Sequence, residues 1–435
     1  MRMRATGVRS YDGFEYLESS GGIDARRLMS NGLTVLTLKQ GVAPITTFMV
    51  TYRVGSRHER LGETGATHFL EHMMFKGTER FNKRTGRTVF TELQRLGARV
   101  NATTWNDRTN YYELLPSEHL PVAMEIESDR MRGALLRPED VESERVVILN
   151  EFDRSENEPL RTLFRQVWSA SYEAHPYHHP TIGWRSDIEN ITPEGLRSFY
   201  DRYYWPDNAV LSIIGGFEEE EVLAMVREYF ERIPAAPHDI PEPHTVEPEQ
   251  RGERQVTIRM SGNPPYAIVA FRSPSARDDD APALDLLGMI LGSGKTSRLY
   301  ERLVDGGLAV TASASNSSFR DPGLFFAWVS LTPNTSHEEV VEAVLDEIRR
   351  VAVDGVDERE LRRARKKLEA HTRYSRDGSF SLAAQLNEAI AAGDWKLYTT
   401  YLERAGRVTG EDIRRVAERY LVRDAMTIGR HMPAA

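Results

Sequence analysis

Cysteine is absent from the 435 residues, which removes disulfide scaffolds, thiol catalysis and Cys-ligated zinc together. Any metal must therefore sit on histidine and carboxylate ligands. No stretch approaches the roughly 18 consecutive apolar residues of a membrane span. Runs such as 209–214 (AVLSII) are the length of a buried strand. Positive charge is not in excess: 56 Lys and Arg face 65 Asp and Glu, a formal charge of −9. That balance lacks the basic footprint of a nucleic-acid binder. The opening MRMRATGVRSYDGFEYLESSGG has early arginines but no apolar core, and Asp12, Glu15 and Glu18 follow quickly. It is not a secretory leader as it stands, so the expected compartment is the cytoplasm, or the periplasm if a leader has been removed.

What remains is a globular composition, 40% apolar and 28% charged, in a chain long enough for about two or three domains. The clearest boundary is 233–252, where Pro234, Pro237, Pro241, Pro243 and Pro248 can neither continue a helix nor donate to a sheet. This reads as an extended linker between an N-terminal domain, 1–232, and a C-terminal domain, 253–435. Strands are expected at 33–39, 45–53, 109–115, 209–214 and 266–272. Helices are expected at 82–96, 117–135, 138–156, 193–204, 217–232, 337–353, 357–374, 380–392 and 409–421. Without strict strand–helix alternation, the pattern favours an α+β fold with helices on one face of a mostly antiparallel sheet.

The two halves are related. Residues 192–203 (TPEGLRSFYDRY) echo 409–420 (TGEDIRRVAERY) at an offset of 217, pairing Thr192 with Thr409, Arg197 with Arg414 and Tyr203 with Tyr420. A second echo, YRVGSR at 52–57 against FRSPSAR at 271–277, has nearly the same offset. Two capping boxes alone would explain one echo. Two echoes flanking a linker point to duplication.

Residues 65–77, GATHFLEHMMFKG, contain His68, Glu71 and His72 as H-x-x-E-H. On a helix, positions i and i+4 share a face, so both imidazoles can meet one metal ion. A third protein ligand would leave one coordination position for water. Glu71 cannot comfortably ligate the same ion, but it can reach the bound water and take its proton. With 12 histidines in the chain, the motif arises by chance with a probability on the order of a few per cent. Its neighbours Phe69, Leu70, Met73, Met74 and Phe75 are apolar, and unpaired His and Glu on such a helix would be costly to bury. A third ligand can come from 138–156, where Glu144 and Glu151 lie seven residues apart on one helical face. One Glu at the inner edge could ligate, and one two turns earlier could support a ligand. Glu142, Glu156 and Glu158 read as solvated. His175, His178 and His179 are interrupted by Pro176 and Pro180 and read as a loop near the site rather than a second metal centre.

The stretch around THFLEHMMFKGT resembles the signature of the pitrilysin/insulinase superfamily of inverted-motif zinc peptidases, which includes the mitochondrial processing peptidases. ERVVILNE at 144–151, GARVNATTWNDRTNYYELLP at 97–116, HPYHHPTIGW at 175–184 and the duplicated layout also resemble that family. The resemblance spans essentially the whole chain. It implies one Zn2+ per chain on His68, His72 and Glu151, Glu71 as general base, and Glu144 supporting the ligands. It also implies a strand edge at Asn101, Ala102, Thr103 and Thr104 that receives an extended peptide, with main-chain hydrogen bonds giving affinity. The expected function is a zinc-dependent endopeptidase subunit acting on peptides or unfolded segments inside a clamshell chamber. The alternative is a non-catalytic core or assembly subunit of the same fold.

One region departs from the family. Active relatives carry Arg and Tyr in the stretch that here reads SRLYERLVDGGLAVTAS; Arg298 is kept, but Val304 and Val310 fall at the Arg and Tyr positions. Valine offers no hydrogen bond to an oxyanion or a peptide carbonyl. The resemblance therefore implies a homologous partner without zinc that supplies both, with a homodimer as the alternative. The neighbouring LGSGKTSRL suggests a phosphate loop, but its spacing fails at Met289 and a helical pattern, 284–291, precedes it where a strand is required.

Overall fold

In the computed structural model, which describes residues 2–3, 9–41, 43–262 and 264–434, the apolar run at 209–214 forms the strand Ala209–Gly215, buried along its whole length. Part of the stretch read for a leader, residues 1 and 4–8, lies outside the described residues. Ala209–Gly215 is the middle of seven strands, ordered Phe14–Ser20, Ile23–Leu28, Thr34–Lys39, Ala209–Gly215, Ile45–Tyr52, Thr109–Pro116 and Arg99–Thr104. A second sheet has five, ordered Arg254–Met260, Met426–Pro433, Tyr266–Arg272, Leu324–Leu331 and Ala309–Asn316. Each sheet has one parallel pair, Thr34–Lys39 with Ala209–Gly215 and Arg254–Met260 with Met426–Pro433. All other pairings in the two sheets are antiparallel. The fold is α+β with two related domains, and among the described residues no helix is long and apolar enough to cross a membrane.

The echoes in the sequence are equivalent places in the two sheets. Pro193–Tyr203 leads into Ala209–Gly215, and Gly410–Tyr420 leads into Met426–Pro433. Both helices start on a threonine cap, Thr192 accepting from Gly195 N and Thr409 from Asp412 N. The second echo falls where Ile45–Tyr52 and Tyr266–Arg272 end.

The chain divides into two compact units, each built from three segments. One is Met1–Asn150, Thr181–His244 and Ser375–Ala391; the other is Glu151–Pro180, Thr245–Tyr374 and Ala392–Ala435. Each unit thus contains a short segment from the other half of the sequence. In the second, alternate residues of Tyr266–Arg272 face opposite ways. Ala267, Val269 and Phe271 join the main helical layer, while Ile268 and Ala270 pack against Leu163 and Val167 of the helix Pro159–Ser171. Gly429 permits that approach, because a Cβ there would lie 2.3 Å from a Val167 methyl. In the first unit the corresponding helix Ser379–Ala391 meets the sheet through polar contacts, Thr47 with Ser379 at 2.9 Å and Thr51 with Asn387 at 2.8 Å. Each sheet therefore carries a single helix on the face opposite its main layer.

The Pro-rich stretch has no helix or strand between Phe230 and Arg254. Two expected helices start late. Val89–Gln94 replaces 82–96, because Asn82 closes the preceding turn by accepting from Arg84 N and Thr85 N, and Thr88 caps the helix. Leu120–Gly133 replaces 117–135, after a 3-10 turn at Ser117–His119.

A buried charge set lies beneath the first sheet. Arg130, Glu127 and Glu113 are 0% exposed; Arg130 pairs with both carboxyls and lies over the rings of Phe75 (4.9 Å) and Tyr111 (4.4 Å). Burial first, then the neighbouring Glu127, holds the Glu113 carboxyl well above the usual range, which favours its neutral form beside the Arg130–Glu127 pair. Removing the cation alone strands the carboxylate. Arg130→Met should lower the unfolding free energy by about 3–5 kcal/mol in urea denaturation, and adding Glu113→Leu and Glu127→Leu should recover most of that loss. A neutral Arg130→Met would contradict this account.

Candidate metal centre

The helix Ala66–Met73 is held at its N-terminus before it presents any chemistry. Glu59, buried, accepts from Gly65 N and Thr67 N at 2.8 Å each, placing its carboxyl oxygens against the free amides at the start of the helix. Burial drives its pKa up to about 8, against the lowering effect of those hydrogen bonds. Gly65 (φ 88°) and Gly183 (φ 89°) cross so closely that a Cβ on either would lie about 2.5 Å from a carbonyl oxygen, of Ile182 and Thr64 respectively. Thr64 Oγ1 donates to Asp187 and accepts from Trp184 N. The backbone of IGW at 182–184 thereby fixes where the helix begins.

Phe69, Leu70 and Met73 are buried, so His68, Glu71 and His72 occupy the remaining face. The two imidazole rings lie 4.7 Å apart between centroids. One ligand atom each from His68, His72 and Glu151 lies within 4.8 Å of the others, and this is the only such group among the described residues. Tetrahedral zinc, with bonds of about 2.0–2.1 Å, needs ligand atoms roughly 3.4 Å apart. The donor set, two imidazoles and a carboxylate gathered at one place, suits that ion.

Glu151 owes its position to the unbroken helix Pro138–Glu156. Val141 and Ile148 bury one face of it. On that face Glu144 Oε1 accepts from His72 Nδ1 at 2.8 Å, and Lys76 Nζ pairs with the other oxygen. Two turns later the same face presents Glu151. Burial pulls the Glu144 carboxyl upward, but the hydrogen bonds from His72 and Lys76 outweigh it and bring it to about 2. Burial, and then the His72 ring, push His68 down to about 3, so at neutral pH its imidazole is uncharged and can ligate.

Glu71 turns toward the sheet. Thr104 Oγ1 donates to its Oε2 at 2.5 Å. Thr104 ends Arg99–Thr104, the last strand of the first sheet, whose outer edge pairs with no strand among the described residues. All four expected edge residues lie on it: Asn101 and Thr103 exposed, Thr104 half-buried, Ala102 buried. A cavity of about 520 Å³ opens here, lined by Glu71, His72, Phe75, Phe90, Asn101 and Glu144. The rings of Phe75 and Phe90 stack at 4.8 Å.

Outside the centre, most expectations hold and some are refined. His175, His178 and His179 form no ligand group; His175 pairs with Asp321 and His178 Nδ1 bonds the His175 carbonyl. Glu142 and Glu158 are exposed as expected, beside Arg145 and Arg161, whereas Glu156 is half-buried against Arg165. Arg298 is bound by Glu360 at 2.8 Å through two nitrogens. Val304 packs against the core of the second unit, and Val310 is exposed on the edge strand Ala309–Asn316. The G-K-T of LGSGKTSRL follows the C-terminus of helix Ala281–Gly292, so no phosphate loop forms. That helix follows the second echo as Ala66–Met73 does in the first unit, and aligning the two on their first residues, Ala66 and Ala281, puts Ala283, Leu286 and Leu287 at the places of His68, Glu71 and His72. All three are buried in the core. Sequence reasoning missed Glu59, Lys76 and the Thr104 hydroxyl as partners of the site; Lys76 alone carried a signal, one turn beyond His72.

Residues 34–184 match the insulinase family, peptidase family M16, and residues 190–368 match the peptidase M16 inactive domain. The chain belongs to the M16 peptidase family. It is 28% identical over 401 residues to the zinc protease PqqE of Helicobacter pylori, covering 90% of this chain and 89% of that one. A solved structure of a protease from Helicobacter pylori superposes with a TM-score of 0.88 at 26% identity, covering 97% of this chain and 99% of that chain. The periplasmic protease PqqL from Escherichia coli shares the fold at 20% identity and a TM-score of 0.78; 96% of this chain covers 48% of it. The inactive-domain match falls on the half whose helix has Ala283, Leu286 and Leu287 in place of the motif.

Unfolded, His68 titrates near its ordinary 6.5, and folded near 3. Between those values the unfolded chain binds more protons, so stability is lost as pH falls through this window. With chelator present, wild type should lose about 2 kcal/mol more than His68→Ala between pH 6 and pH 4, read by urea unfolding. Parallel curves would contradict the burial of a neutral His68.

Proposed function

We propose that this chain is a zinc-dependent endopeptidase subunit, with one Zn2+ on His68, His72 and Glu151 and with Glu71 as general base. The observation that carries the reading is the convergence of those three ligand groups beside a carboxylate tied to a free sheet edge. When bound, zinc supplies polarisation of a carbonyl and a lowered pKa for water. Glu71 takes a proton from the attacking water and passes it to the leaving amine. His72 is oriented by Glu144 through Nδ1, which leaves Nε2 as the nitrogen that would ligate the metal. The edge Asn101, Ala102, Thr103 and Thr104 adds the substrate backbone as a strand, which restricts substrates to peptides and unfolded segments.

The catalytic machinery is completed by a homologous partner subunit without zinc. Val304 and Val310 support this, since neither can donate a hydrogen bond to the reacting carbonyl. The match of the chain to about half of PqqL supports it as well. A purely structural role would leave the intact ligand set without a reason.

Glu71→Gln should retain one zinc per chain by metal analysis while hydrolysis falls by about 10²–10⁴-fold; a variant that still cleaves peptides removes Glu71 as the base. Glu144→Gln should weaken zinc binding by about 10–100-fold in competition with a chromophoric chelator. Unchanged affinity would mean that Glu144 does not support the ligand. Strong cleavage by the isolated chain would reject the partner.

A further inference from the structure

We propose that Thr104 is a positioning residue for Glu71, holding the carboxylate in its working rotamer and tying it to the strand edge that takes substrate. The proposal rests on the reading of Glu71 as general base. Glu71 lies at the margin of a cavity of about 520 Å³, and a glutamate there, with three side-chain torsions, has several staggered rotamers open to it. Thr104 Oγ1 at 2.5 Å from Glu71 Oε2 selects one of them.

Thr104 suits this task because its own position is fixed. Its backbone is in register with Thr109, which is fully buried and donates through Oγ1 to Val54 O at 3.0 Å. A β-branched side chain on a paired strand has little χ1 freedom, so the hydroxyl is presented from a rigid frame. A threonine hydroxyl both donates and accepts. It can donate to the carboxylate before proton transfer and, after rotating, accept from the carboxylic acid formed by it. Glu71 is thus held while a proton arrives from water and leaves to the amine, and Thr104 keeps its own proton throughout. The residue that ends the substrate edge is also the one that aims the base, so a peptide added along 101–104 lies on the same strand that orients Glu71.

The test compares Thr104→Val, which keeps shape and strand propensity, with Thr104→Ser, which keeps the hydroxyl, in the full zinc-loaded chain with its partner. The substrate is an internally quenched peptide cleaved by wild type. Thr104→Val should lower kcat by about tenfold to a hundredfold with KM changed by less than about twofold. Thr104→Ser should return kcat to within about threefold of wild type, with zinc content and thermal midpoint unchanged in both. In crystals of Thr104→Val the Glu71 side chain should leave the wild-type rotamer, and in Thr104→Ser it should keep it. An unchanged kcat in Thr104→Val, a loss confined to KM, or a serine variant no better than valine would overturn the proposal. If wild type cleaves no peptide, the endopeptidase reading fails, and the rotamer comparison then decides the role of Thr104: Glu71 unmoved in Thr104→Val overturns it.

Discussion

The hydrogen bond from His72 Nδ1 to Glu144 Oε1, 2.8 Å long, sets the relation of two helices on which the rest of the site depends. The helix Ala66–Met73 supplies two imidazoles one turn apart, and the helix Pro138–Glu156 supplies two carboxylates two turns apart. Once Glu144 is locked to His72, helical rise and twist leave Glu151 one place to go. Lys76 braces Glu144 from its other oxygen, and Glu59 holds the far end of the first helix. Glu144, His72 and the N-terminus of the first helix thus each meet a group that makes their burial tolerable.

Duplication left the H-x-x-E-H motif in one half of the chain and not in the other. The two sheets share strand order around their parallel pairs, and the helices Ala66–Met73 and Ala281–Gly292 each lie against the edge strand of their own sheet. Where the first has His68, Glu71 and His72, the second has Ala283, Leu286 and Leu287, buried in its core. The second copy fills these three places with apolar side chains, and the polar residue its helix keeps, Asp285, is satisfied by Asn316 and Tyr401. Arg298 in turn is committed to Glu360 and braces the second unit.

Much of the centre was legible because its geometry is local. H-x-x-E-H and the spacing of Glu144 and Glu151 translate directly into helix faces. The α+β class followed from the mixture of strand and helix patterns. Partnerships that depend on distant pairing were not legible: Thr104 and Glu71 are 33 residues apart, and their contact requires the edge position of Arg99–Thr104 in a sheet whose order is set by strands far along the chain. The exchange of Pro159–Ser171 and Ser379–Ala391 was hidden for the same reason, since nothing in an amphipathic pattern names the sheet it will cover. Helix starts were misjudged where Asn82 and Thr88 favoured a turn and a cap over continued periodicity.

The central claim is that His68, His72 and Glu151 hold one zinc ion. Anomalous diffraction from zinc-grown crystals, collected on both sides of the zinc absorption edge, tests it most directly. The account predicts a single strong difference peak per chain, about 2.0–2.2 Å from a nitrogen of His68, a nitrogen of His72 and a carboxylate oxygen of Glu151. A peak bound elsewhere, or an empty site in crystals saturated with zinc, would contradict it.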